Sequence, residues 1–340
     1  MTEPSASQPV EQTRDPLRIF WWLLRFAIGI TIIWFVARGR TDELVEVYRS
    51  ARPTWLIAAV LAFLGVLIVS AARWDSYLRA TQTGSFPPMR ILRLTFVGTF
   101  FNAFLPTGVG GDAYKTMRIV GRGERARAAA SVLLDRYSGL VGLAVVGFIA
   151  MAADLDAMPK RLLLIAEAVS VAIIVTTVVP RASREWVLRR AHIPREGRLG
   201  GAMWRAVGAV ATANRSLFVA GRGYLWGVAS QAGILLVHVF IARGLGLDLG
   251  IGVLASAAVV AQLVALLPIS INGLGLREAT YVWALGLAGL DPEPALAFAV
   301  GMLGVLVIGS LAGGLVFVFG GPLTDLEGLS RGESQARASR

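Results

Sequence analysis

Two stretches of the chain combine residue types that can hold an anion inside apolar surroundings. The first is FNAFLPTGVGGDAYK, residues 101–115. It carries Asn102, breaks at Pro106, passes Gly110 and Gly111, and resumes with Asp112 and Lys115, followed by Arg118. The second is LPISINGLGLRE, which starts at Leu267. It breaks at Pro268, passes Asn272, Gly273 and Gly275, and resumes with Arg277 and Glu278. The N–H groups at the start of a helix have no intrahelical acceptor, and with the helix dipole they attract negative charge. Arginine and lysine beside such a restart add charge, and arginine adds a planar fork suited to phosphate.

The two breaks lie about half the chain apart. Paired Pro/Gly interruptions at matching places in two halves point to the binding site of a transporter. Pro and Gly also kink membrane helices without serving a ligand, so two structural hairpins are the competing reading. Asp112, Lys115 and Arg118, spaced by three, share roughly one helix face. Asp112 either orients the cations or caps the helix, and the two bases either bind a lipid phosphate or are loop charges. Asp135 and Arg136 are adjacent, point about 100° apart, and each needs a partner from elsewhere. The same holds for Arg277 and Glu278. The expected arrangement is crosswise, Asp135 with Arg277 and Arg136 with Glu278, leaving an arginine for a phosphate. Asn102 and Asn272 are expected to bond exposed backbone at the breaks. Gln231 and His238, seven apart, form a polar stripe suited to interhelical hydrogen bonds. Glu167 reads as a proton-coupling site or a paired structural acid, and its place a turn or two from the predicted external end favours the second.

The elements that must position these residues are membrane helices. The chain is 55% hydrophobic with a mean hydropathy of +0.64, and 16% of its residues are charged. Apolar runs occur at 17–36, 54–72, 162–179, 224–242, 251–267 and 295–319, with harder segments at 91–105, 126–153 and 276–290. The sum is an all-α polytopic membrane protein of about seven to nine segments, in two related halves, each with a Pro/Gly-broken or re-entrant helix. Segment 91–105 is about 15 residues and falls short of a bilayer core, which favours re-entry. The expected domains are a polar tail over 1–16 and a membrane domain over 17–323. Its halves, 17–180 and 205–323, are joined by a basic cytoplasmic loop at 181–204. A polar tail over 324–340 follows, and no soluble catalytic domain is expected at either end. Arginine-rich loops place the C-terminus in the cytoplasm, whereas the four arginines in each of 38–53 and 73–93 leave the N-terminal orientation open.

With no cysteine, thiolate metal sites and disulfides are excluded. The two histidines, His192 and His238, lie in different segments, so a histidine metal centre is not expected. The net charge of +11 reads as positive-inside loops and attraction to anionic headgroups, not as nucleic-acid binding. No cofactor is implied, and no GxxxxGK[ST] nucleotide loop is present.

The order N-x-x-x-L-P-x-x-x-G-G-D, then Asp135–Arg136, then L-P-x-S-x-x-G-L-G-x-R-E resembles the lysylphosphatidylglycerol synthase transmembrane-region family, also called flippase-like. The matching residues include Asn102, Pro106, Gly110, Gly111 and Asp112, then Pro268, Ser270, Gly273, Gly275, Arg277 and Glu278. The resemblance implies a lipid translocase in the cell membrane, moving an anionic phospholipid or polyprenyl-linked lipid between leaflets. Larger relatives add a C-terminal synthase domain, which does not follow the last span here. A separate lipid synthase or glycosyltransferase is therefore a candidate partner. The alternatives are an integral-membrane glycosyl or acyl transferase, and a non-catalytic partner of a synthase.

Overall fold

Prolines and glycines set the helix limits. Pro53, Pro88 and Pro292 each open a helix, where the missing N–H costs nothing. The computed structural model describes residues 41–104, 110–121, 124–153, 217–267 and 273–320, with isolated positions 31, 168, 170–172, 186, 189–190 and 270. Nine helices are present among the described residues: α1 (Thr41–Arg49), α2 (Pro53–Ala80), α3 (Pro88–Phe104), α4 (Gly110–Ile119), α5 (Arg125–Ala152), α6 (Leu217–Gly244), α7 (Ile251–Ala265), α8 (Leu276–Leu287) and α9 (Pro292–Phe319). The expected spans at 17–36 and 162–179, Glu167, most of the loop 181–204 and both tails lie outside the described residues apart from isolated positions.

Four helices, α2, α5, α6 and α9, are long and apolar enough to cross a membrane. The segment expected at 54–72 is longer than its apolar run: α2 continues past Arg73 to Ala80, with Trp74, Tyr77 and Leu78 fully packed. The others come as two pairs of short helices. α3 and α4 have 17 and 10 residues, and α7 and α8 have 15 and 12. At about 1.5 Å per residue, none of the four spans a core of about 30 Å.

The order long–short–short–long therefore occurs twice, as α2–α5 and α6–α9, and contacts fix the orientation of each copy. α2 packs extensively on α6. The Arg52 N–H donates to Gly244 O at 2.7 Å, Trp55 stacks on Phe240, and Arg73 reaches Ser230. Rising numbers on α2 meet falling numbers on α6, so the two are antiparallel. They are the equivalent first helices of the two copies. The copies are thus related by an axis perpendicular to these helices, an inverted repeat.

The ends sort accordingly. Arg127 bonds Gln82 O, Arg90 bonds Arg118 O, and Arg93 bonds Gly320 O. The start of α3, the end of α4, the start of α5 and the end of α9 thus share one end of the bundle with the end of α2. Tyr48, just before α2, donates to Ala297 O near the start of α9, which puts the α6–α7 and α8–α9 connections at the opposite end. The α3–α4 hairpin enters from one end and the α7–α8 hairpin from the other. The first end carries Arg79, Arg90, Arg93, Arg118, Arg125, Arg127 and Arg222. The second carries Asp248, Asp291 and Glu293 with Arg49, Arg52 and Arg243.

Small residues let the backbones close. A Cβ on Gly142 of α5 would strike the Gly227 carbonyl of α6, and one on Gly313 of α9 would strike the Phe96 carbonyl of α3. This is how helices associate where the solvent is as apolar as leucine. The outer surface is correspondingly greasy, with Leu61, Leu225, Leu315 and Phe319 exposed.

Because the chain contains no cysteine, the inversion is directly testable by single-cysteine labelling. An impermeant thiol reagent should reach Ser85→Cys and Glu124→Cys from one side of a membrane, and Asp248→Cys and Asp291→Cys only from the other. Labelling of all four from one side would defeat the inverted arrangement.

Candidate functional site

At each described flank of a break, a side chain completes the backbone. Asn102 of α3 accepts the Gly111 N–H at 2.8 Å, at the first turn of α4. Gly111 lies so close to α3 that a Cβ there would overlap the Gly98 carbonyl. In the second hairpin, Glu278 occupies the third position of α8 and turns back to accept the Gly275 N–H at 2.6 Å, the acidic half of a capping box. Gly273 and Gly275 have φ of 76° and 79°, the left-handed region that glycine enters freely. Pro106, Pro268 and Asn272 lie outside the described residues.

A cavity of about 640 Å³ opens beside the second break, within the usual range of roughly 300–1,000 Å³ for small-molecule sites. Its walls come from α2 (Phe63, Val66, Leu67, Ser70, Arg73), α6 (Ser230, Gln231, Ile234, His238), the α7–α8 hairpin (Gln262, Ala265, Leu266, Leu267, Ser270, Arg277, Tyr281), α9 (Met302, Leu306) and Arg136 of α5. Three guanidinium groups, from three different helices, line it.

Each arginine holds a carboxylate behind it. Arg73 Nε donates to Asp135 Oδ1 at 2.7 Å, and its Nη1 donates to Ser230 Oγ at 2.7 Å. Both members of this ion pair are about nine-tenths buried. Arg136 Nε donates to Asp112 Oδ2, and with 42% of its side chain exposed it is the most open of the three. Arg277 donates through Nε at 3.2 Å and Nη2 at 2.9 Å to Glu278 Oε1.

The expected crosswise pairing is therefore incorrect. Asp135 pairs with Arg73, and Arg136 pairs with Asp112, within one repeat. Arg277 pairs with its own neighbour Glu278. Adjacent helix positions diverge, but Glu278 bends toward the helix start to cap Gly275, and the long Arg277 stem folds over to meet it. Two of the charges expected to share one helix face also separate. Lys115 is buried, with its stem on Gly98 and Nζ 4.5 Å from the Trp74 ring centre, a cation–π contact. Arg118 is exposed at the basic end beside Tyr114. Gly110 only opens α4.

The polar stripe forms the interhelical bonds expected of it. Gln231 donates to Gly139 O and accepts from Gln262, both at 3.2 Å. His238 bonds Ile234 O at 2.7 Å and Tyr281 Oη at 2.8 Å. Arg73 is the residue that sequence reasoning misses, because it follows directly on an apolar run and reads as a loop charge. The continuing Trp74 and Tyr77 are the signal that the helix goes on. Gln262, Tyr281, Ser70 and Ser230 carry no sequence signal of their own.

A family model described as Lysylphosphatidylglycerol synthase TM region matches residues 22–314. A search of curated proteins finds no match.

The buried pair gives a stability test. Asp135→Ala leaves Arg73 charged and uncompensated, and should cost about 3–5 kcal/mol. The double variant Arg73→Met/Asp135→Leu should recover most of that loss, read by thermal unfolding in detergent. Equal destabilisation of the single and double variants would mean that packing, and not charge, sets the cost.

Proposed function

The chain belongs to the lysylphosphatidylglycerol synthase transmembrane-region family, and we propose that it moves an anionic, phosphate-bearing lipid between the two leaflets. The observation that carries this reading is the convergence of Arg73, Arg136 and Arg277 on one cavity. Ionisable side chains among membrane helices are costly and face the bundle interior, where they mark substrate paths. Here three of them line the same space, and none of their paired carboxylates does.

The inverted repeat supplies a route. Two short hairpins entering from opposite ends divide the bilayer thickness between them, so a shift of one hairpin exposes the cavity to one leaflet and the mirrored shift exposes it to the other. The headgroup crosses through the cavity while the acyl chains stay in lipid alongside the greasy outer surface. Arg136 is suited to first contact because it is the most open guanidinium, whereas Arg73 and Arg277 are held by buried bonds. A phosphate that accepts from these forks gains charge-assisted hydrogen bonds in place of the water it gives up.

The sidedness follows from charge. The bundle end that carries Arg79, Arg90, Arg93, Arg125 and Arg127 is cytoplasmic by the positive-inside rule, and so is the end of α9 and the C-terminal tail that follows it. The membrane is the cell membrane. The two hairpins are re-entrant, since each is too short to span and each returns to the end it entered.

The test is a leaflet assay on purified protein in vesicles, with a fluorescent phospholipid quenched from outside. The wild type should raise exchange of anionic phospholipid between leaflets over empty vesicles. Arg136→Gln should slow it at least about tenfold, as expected for loss of a charge-assisted hydrogen bond worth roughly 1.5–3 kcal/mol. Arg136→Lys should fall between, since it keeps the charge and loses the fork. No exchange above empty vesicles, or full rates in Arg136→Gln, would defeat the translocase reading.

A further inference from the structure

The arginines fill only part of the cavity surface, and the remainder is polar and uncharged. Hydrogen-bond direction can be read along it. The Gly139 carbonyl can only accept, so Gln231 must turn its NH₂ toward it. Gln231 then offers its amide oxygen to Gln262, whose NH₂ donates. Gln262 lines the cavity, and its Oε1 receives no hydrogen bond from the described residues. Ile234 O likewise places a proton on His238 Nδ1, and His238 Nε2 is hydrogen-bonded to the Tyr281 hydroxyl. Ser270, at the second break, is 7% exposed and lines the cavity, yet its Oγ has no partner among the described residues.

A deprotonated phosphodiester cannot satisfy Gln262, because it has no hydrogen to give. A ligand that carries a donor beyond its phosphate can meet this acceptor, and that donor is either an ammonium or a hydroxyl. Among the described residues no carboxylate lines the cavity. Asp112, Asp135 and Glu278 are each paired with an arginine, and none of them lines the cavity. An ammonium would face three guanidinium groups with no anion to receive it. A hydroxyl meets no such repulsion, and it can serve both Gln262 as a donor and Ser270 as either partner.

We infer that the cavity selects a phosphodiester lipid whose headgroup ends in an uncharged polyol, such as glycerol or a sugar, and excludes headgroups that end in an amine, including an aminoacylated one. This rests on the phosphate-lipid reading above and narrows it. The preference lies in the neutral wall, so it can be removed without removing phosphate binding.

The experiment is competition in detergent between a labelled short-chain phosphatidylglycerol and unlabelled short-chain lipids on the full chain. Phosphatidylglycerol and phosphatidylinositol should compete, and their ratio separates a glycerol from a ring polyol. Phosphatidylmethanol, a phosphodiester with no donor, should compete at least about tenfold less well, as should phosphatidylethanolamine and lysylphosphatidylglycerol, a difference of about 1.4 kcal/mol. Diacylglycerol should not compete. Gln262→Leu should lower phosphatidylglycerol to the level of phosphatidylmethanol. Ser270→Ala removes only an unpartnered hydroxyl, so it should fold normally and lose part of the same preference. If amine headgroups compete as well as phosphatidylglycerol, or both variants keep the wild-type ranking, the polyol inference is overturned while phosphate binding stands. If every phosphate lipid is as weak as diacylglycerol, the phosphate reading falls and takes this inference with it.

Discussion

A helix interrupted among apolar surroundings leaves backbone N–H groups that neither the next turn nor water can satisfy, and the whole bundle is organised around meeting that cost. Asn102 accepts for Gly111, and Glu278 accepts for Gly275. Each of these bonds has structural consequences. Asn102 can reach only because Gly98 and Gly111 allow α3 and α4 to touch. Glu278, which caps the half-helix, is held in turn by two donors of Arg277. The same device that stitches each break also places a charged group next to it.

From there the ion pairs propagate through the molecule. Asp112, one residue after the first stitched amide, draws Arg136 from α5, and neighbouring Asp135 draws Arg73 from α2. Arg73 in turn reaches Ser230 of α6, across the contact between the two copies. A series of polar bonds therefore runs from the first break to the centre of the antiparallel α2–α6 pair. The second break meets the same cavity through Ser270 and Arg277. The α7–α8 hairpin walls the cavity together with α2, α6 and α9, whereas α4 reaches it indirectly, through the pairing of Asp112 with Arg136.

Much of this was legible because proline and glycine punctuate a helix whatever the tertiary context. The paired interruptions between Phe104 and Gly110 and between Ala265 and Leu276, the all-helical membrane class, and the bonding of Asn102, Gln231 and His238 follow from residue type and spacing. The inversion was not legible, since loop charge is balanced at 38–53 and 73–93 and only the contacts of α2 with α6 decide it. Arg73 escaped because hydropathy ends at Ala72, whereas the helix is extended by the packing of Trp74, Tyr77 and Leu78. The pairing of Arg277 with Glu278 escaped for a different reason. Helical periodicity gives the direction in which a side chain leaves the backbone, and a long arginine stem can return from it. The separation of Lys115 from Arg118 came from Gly98, whose missing side chain opens the slot that buries one and not the other.

The central claim is that the arginine-lined cavity is wet and positive, and the most direct measurement is the charge selectivity of chemistry inside it. Ser70 lines the cavity on α2. With a single cysteine placed there, anionic and cationic thiol reagents of matched size can be compared in vesicles. The account predicts that the anionic reagent reacts at least about tenfold faster and that a short-chain anionic phospholipid protects the cysteine from it. Equal rates for the two reagents, or no reaction with either, would mean that the arginines serve only to hold the helices together.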